Sequence, residues 1–168
     1  MPTPRKTSSQ PDATNGHPPP QQTGSAGAAR ERPVAFTAVD GFPLAGTLFE
    51  GDGGGPLVLI SSATAVPQGL YAGFARMLVE DGARAVLTYD YRATGRSPRP
   101  AGWSARINYK DWALLDFPAA LAALEAVVSG HAVVGVGQSY GGHALGLSGT
   151  SDRFRRYAMI ATMTAHFG

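Results

Sequence analysis

The sequence predicts an α/β protein, with a mostly parallel sheet and helices on both faces. Three observations predict it. Two short strand-like runs, residues 34–39 and 44–49, flank Asp40-Gly41, a turn dipeptide that reads as a hairpin. Leu57-Val58-Leu59-Ile60 and Ala85-Val86-Leu87-Thr88-Tyr89 are nearly continuous apolar runs, the pattern of strands buried on both faces. Segments of helical spacing separate these runs from one another and from later ones, so strand and helix alternate.

In chain order, Gly53-Gly54-Gly55-Pro56 breaks the chain before the first buried strand. Leu70, Tyr71, Phe74, Met77 and Leu78 then recur at helical spacing, and Gly82 stops that helix. The second buried strand leads into a loop through Arg99-Pro100. A helix is expected to begin near Asp116-Phe117-Pro118, since proline suits a first turn, and to run through Leu121, Leu124 and Val127 to Gly130. Residues 131–136 read as a strand, 140–147 as a helix and 157–162 as a last strand.

Residues 1–32 differ from this. They are rich in Pro, Gln, Ser, Thr and Gly, include Pro18-Pro19-Pro20, and hold almost no large apolar side chain. Such a segment buries too little surface to offset the entropy of ordering it, so it reads as a disordered tail before a domain spanning residues 33–168. The tail also carries the excess charge. Arg5, Lys6, Arg30 and Arg32 outnumber Asp12 and Glu31, which accounts for the whole formal charge of +2. The rest is neutral and offers no basic face for nucleic acid. With no Cys there is no disulfide, thiolate metal site or cysteine nucleophile. No apolar run reaches the roughly 18 residues of a membrane span, and the polar start is not a secretory signal, so a cytoplasmic address is expected.

The chemistry concentrates at Gly137-Gln138-Ser139-Tyr140-Gly141, a Gly-x-Ser-x-Gly run between Val133-Val134-Gly135-Val136 and Gly142-His143-Ala144-Leu145. A strand-to-helix turn of this kind holds its serine in a strained conformation with Oγ above the sheet, and the flanking glycines allow the close approach. The helix N-terminus then faces the serine and favours developing negative charge. A competing reading takes Gly135-x-Gly137-x-x-x-Gly141 as a dinucleotide-binding turn. Its late position in the sheet, and an Asp152 that arrives too soon for a ribose, argue against it.

Four blocks in order, residues 57–67, residues 89–97, the helix around Trp112 to Val128, and the Ser139 turn, resemble the N-terminal portion of an α/β-hydrolase-fold protein of the serine aminopeptidase/lysophospholipase-like branch. The resemblance implies an esterase-like serine hydrolase acting on a small-molecule acyl substrate, without cofactor or metal. It implies Ser139 as nucleophile and the backbone N–H of Tyr140 as one oxyanion donor. Ala63 is its best match for the second donor and Ser62 the next. Asp90, Arg92, Gly95 and Ser97 match a loop whose expected role is structural. Ser61-Ser62 replaces a frequent His-Gly, Gln138 replaces a frequent histidine, and Ala65 and Ala93 stand where glycine is common.

A serine nucleophile needs a base and an orienting acid, which in this fold follow the serine in the order acid, then histidine. After Ser139 the chain offers Asp152, His143 and His166. His143 reads as a packing residue, His166 as a pocket wall and Asp152 as a loop residue, so the acid and base are expected past Gly168. The fold is then cut after about its sixth strand. An exposed last strand is expected to leave the chain marginally stable or self-associating through that edge. The alternative is a catalytically inactive α/β-hydrolase remnant or interaction module.

Overall fold

A computed structural model of the protein describes residues 28–162. The expected tail falls mostly outside these residues, as does His166. The first strand, β1 (Arg30–Thr37), begins three residues before the expected domain start and pairs antiparallel with β2 (Pro43–Glu50) across the predicted turn. β3 (Leu57–Ser61), β4 (Ala85–Asp90), β5 (Val133–Gln138) and β6 (Arg156–Ile160) complete one sheet of order β1-β2-β4-β3-β5-β6. β2 meets β4 antiparallel, and all later pairings are parallel. The mostly parallel sheet predicted from the sequence is present.

Alternation of side chains along the buried strands builds two cores. Leu57, Leu59, Leu87 and Tyr89 face α3 (Phe117–Glu125) and α4 (Tyr140–Leu147), packing on Phe117, Leu121, Leu124 and Leu145. Val58, Ile60, Val86 and Phe49 face the opposite way onto Ala75 and Val79 of α1 (Ala72–Glu80), which a 3-10 turn (Gln68–Tyr71) precedes. Helices therefore cover both faces. The inward face is only partly the one the large side chains suggest: Tyr71 and Leu78 pack against this second core, but Leu70 of the 3-10 turn and Phe74 and Met77 of α1 are exposed, and the small Ala75 and Val79 make the buried contacts.

The helix expected from Asp116 starts earlier. Helical backbone begins with α2 (Tyr109–Asp111), where the Asn108 N–H donates to Asp111 Oδ2 at 2.7 Å. A π-helical turn (Trp112–Asp116) joins α2 to α3. α3 itself begins at Phe117 with Pro118 in its first turn, as expected, but helical backbone precedes it. The Phe117 N–H reaches back five residues to the Trp112 carbonyl, and this widened turn admits Pro118, which a regular helix interior excludes. The helix ends at Glu125, short of Gly130.

Among the described residues β6 pairs with β5 alone and lies at the sheet edge, with Met159 and Ile160 exposed. Gly135 makes room for this pairing, since a Cβ there would lie 1.9 Å from the Tyr157 ring. Packing thus accounts for a glycine that the dinucleotide reading assigned to a ligand. Among the described residues no helix is long and apolar enough to cross a membrane.

Candidate active site at the ends of β3 and β5

β3 and β5 are adjacent and parallel, with Ser61 opposite Gly137, so the loops that follow them emerge at the same end of the sheet. Ser139 joins β5 to α4 at φ 49°, ψ −112°, a left-handed conformation that a serine adopts only under constraint. The constraint is steric. A Cβ on Gly137 would lie 2.4 Å from the Gly142 nitrogen, and one on Gly141 would lie 2.1 Å from the Ser61 carbonyl oxygen. Only glycine at both positions lets the turn close against α4 and β3. As the first residue of α4, Tyr140 has no intrahelical acceptor for its N–H. The Ser139 N–H itself donates to the Ile160 carbonyl at 2.9 Å, so β6 also holds the turn.

Opposite the turn, the loop after β3 brings Ser62 and Ala63 to the same sheet end. Ser62 is buried. The Ala63 N–H donates to the Tyr71 hydroxyl at 3.1 Å, and that hydroxyl donates to Gln138 Oε1 at 2.7 Å. Ala65 sits at φ 61°, a left-handed conformation, and so does Ala93 in the loop after β4. Both positions are those where the sequence resemblance expects glycine. The Tyr140 ring stands among Tyr91, Tyr109, Trp112 and His143, and its hydroxyl donates to the Tyr109 carbonyl. Burial pushes the Tyr140 phenol up to about 12, so it is a neutral wall near pH 7.

The loop after β4 is a closed polar structure. Asp90 is buried and accepts from the Gln68 N–H at 2.8 Å, the Gln68 side chain at 2.9 Å and the Arg96 N–H at 2.9 Å. Gly95 lies against that carboxylate, 2.5 Å from where its Cβ would be. The Ser97 hydroxyl donates to the Asp90 carbonyl and accepts the Ala45 N–H. Arg92, also buried, pairs with Asp116 at 2.8 Å and with Asp40 at 2.7 Å, its guanidinium over the Phe42 ring. The bonds to Arg92 hold Asp40 below the usual carboxylate range, whereas burial raises Asp116 to about 6. Every one of these groups is spent on the scaffold.

Other candidates sit elsewhere. Asp152, in the turn (Ser151–Arg153) before β6, is exposed at the end of the sheet away from Ser139. His143 is in α4 beside Tyr140. A cleft of about 510 Å³, lined by residues that include Gly55, Gly130, His131, Arg155 and Arg156, opens at the far end too, by the starts of β3, β5 and β6. It takes no part in this site. Tyr71 is the residue a motif reading passes over, and Gln138, noted only as a departure from a frequent histidine, is its partner. Tyr71 presents itself in the sequence only as an apolar member of a helical pattern.

No family model and no curated protein sequence matches the chain. Solved structures do. An α/β hydrolase, GrgF from Penicillium sp. sh18, superposes with a TM-score of 0.66 at 23% identity, over 79% of this chain and 46% of its own. XC6422 from Xanthomonas campestris, an α/β serine hydrolase without a lid, gives 0.65 at 16% identity, over 83% and 64%. The chain has the α/β-hydrolase fold. The esterase Pf2001 from Pyrococcus furiosus agrees at a TM-score of 0.53 and 21% identity, over 69% of this chain and 45% of its own. Across these α/β-hydrolase-fold structures, the chain spans from about half to about two thirds of their length.

Proposed function

We propose that the protein is a serine hydrolase in which Ser139 forms an acyl-enzyme from an ester, thioester or amide. The observation that carries this reading is Ser139 itself, held at φ 49° between two glycines that admit no Cβ, at the head of α4. Ser139 Oγ would attack the acyl carbonyl and pass its proton to a base, and the leaving group would depart with a proton. The Tyr140 N–H and the loop after β3, at Ala63 or Ser62, would face the oxyanion; losing one such donor costs about 10²–10³ in rate. The base and acid come from outside the described residues. The sequence resemblance supports the serine aminopeptidase/lysophospholipase-like branch, and a small acyl compound as substrate.

A fluorophosphonate probe with intact-mass readout tests this. One adduct per chain, absent in Ser139→Ala, is the expected result. A wild-type chain that never labels would replace this reading with that of an inactive remnant.

A further inference from the structure

We propose that Tyr71 is a positioning residue of the site, a strut that sets the spacing between the loop after β3 and the Ser139 turn. This rests on the acyl-serine reading above.

The strut has an anchored end and a polar end. Its ring packs on the core of Phe49, Val58, Ile60, Ala75 and Val79, while the neighbouring Leu70 and Phe74 are 71% and 37% exposed. For packing alone, phenylalanine would fill the same space. The hydroxyl does something else. It accepts the Ala63 N–H at 3.1 Å and donates to Gln138 Oε1 at 2.7 Å, so one oxygen joins three segments of the chain. Ala63 lies in the loop placed to face the oxyanion, and Gln138 immediately precedes the nucleophile.

The loop is anchored at its far end, where the buried Gln68 bonds to Asp90, and the phenol ties its near end. Its backbone is tied by the Val66 N–H to the Ala63 carbonyl at 3.2 Å, and Ala65 is in the left-handed region. Among the described residues, the phenol couples the loop to the turn by side-chain hydrogen bonds. The loop and the nucleophile turn flank one developing charge, so their separation must hold to a fraction of an ångström, and a 1 Å misplacement costs about 10²-fold.

The geometry also gives the test a sign. In the resting site the Ala63 N–H is directed at the phenol oxygen. Were Tyr71 merely an occupant of that donor, removing its hydroxyl would speed acylation. As a positioning residue, its removal slows it.

Fluorophosphonate inactivation kinetics on the full chain distinguish these, separating the maximal rate kinact from the binding constant KI. Tyr71→Phe and Gln138→Leu are each expected to lower kinact about ten- to a hundred-fold with KI little changed. The double variant should be no slower than either single one, because both remove the same strut. Gln138→Glu, whose carboxylate still accepts the phenol proton, should recover most of the rate. An unchanged or faster kinact in Tyr71→Phe, or additive losses in the double variant, would overturn the proposal. If Tyr71→Phe does not fold, the contrast between Gln138→Leu and Gln138→Glu decides, with the ring left in place. A wild-type chain that does not label overturns the acyl-serine reading and this role with it. A labelling wild type with a fast Tyr71→Phe overturns this role alone.

Discussion

β4 and β6 are both strands of one sheet, yet all six residues of β4 are buried and four of the five in β6 are exposed. Their compositions do not explain this, since Tyr157-Ala158-Met159-Ile160 is as apolar as Ala85-Val86-Leu87. Neighbours do. β4 lies between β2 and β3, with α1 on one face and α3 on the other. β6 has one strand beside it, and only the Tyr157 side meets the large core. An apolar strand is thus stabilising in proportion to what is packed around it. Burial also decides where polar groups are costly: Asp90, Arg92 and Asp116 cluster at the β4 end, each with hydrogen-bonding partners.

The contrast can be broken most sharply at Arg92. Arg92→Ala leaves Asp116 buried and Asp40 half-buried without their cation, and chemical denaturation should show a loss of about 3–5 kcal/mol. A stability change under 1 kcal/mol would mean that this cluster is hydrated and not a buried network.

A matched pair of substitutions compares the strands themselves. Leu87→Ala in β4 should cost about 2–5 kcal/mol, the range for emptying a packed core site. Ile160→Lys in β6 should change stability by about 0.5 kcal/mol at most. The same lysine should also shift the sedimenting species toward monomer if the open edge drives self-association, because a charge on an edge strand opposes strand addition.

The smallest effect is a pH dependence at the β4 end. Asp116 titrates near 6 in the folded chain and near 3.8 unfolded, so the folded state holds the extra proton between those values. Its contribution is greatest below pH 3.8 and is lost as pH rises through about 6. Denaturation between pH 4 and 6 should show a slope of at most about 1.4 kcal/mol per pH unit from this group, absent in Asp116→Asn.

Features written in neighbouring residues were legible in the sequence. The hairpin at Asp40-Gly41, the strands at 57–60 and 85–89, and the turn around Ser139 with the helix after it each depend on a short local pattern, and the structure holds them where expected. Features that depend on distant partners were not. Periodicity placed Leu70, Phe74 and Met77 on one helix but could not say that Ala75 and Val79 would be its inward face, since the sheet makes that choice. A proline usually marks a first turn, and the π-helical turn that shifts the helix start to Tyr109 has no composition of its own. The structural role expected of Arg92 is present, but its partners Asp40 and Asp116, and the bond from Tyr71 to Gln138 67 residues away, depend on distant segments that no local pattern pairs.

Arg92 bears on how fast the molecule moves between its states as well as on how stable it is. Its two carboxylate partners stand 52 and 24 residues from it, one in the first hairpin and one at the head of α3. Such a three-way contact closes only after the hairpin, β4 and the helix have docked, because each closure waits on ordering a long intervening segment. Interactions made after the folding barrier leave the folding rate nearly unchanged and slow unfolding instead. Arg92 is therefore expected to act as a kinetic lock, and Arg92→Ala should speed unfolding more than it slows folding in stopped-flow measurements.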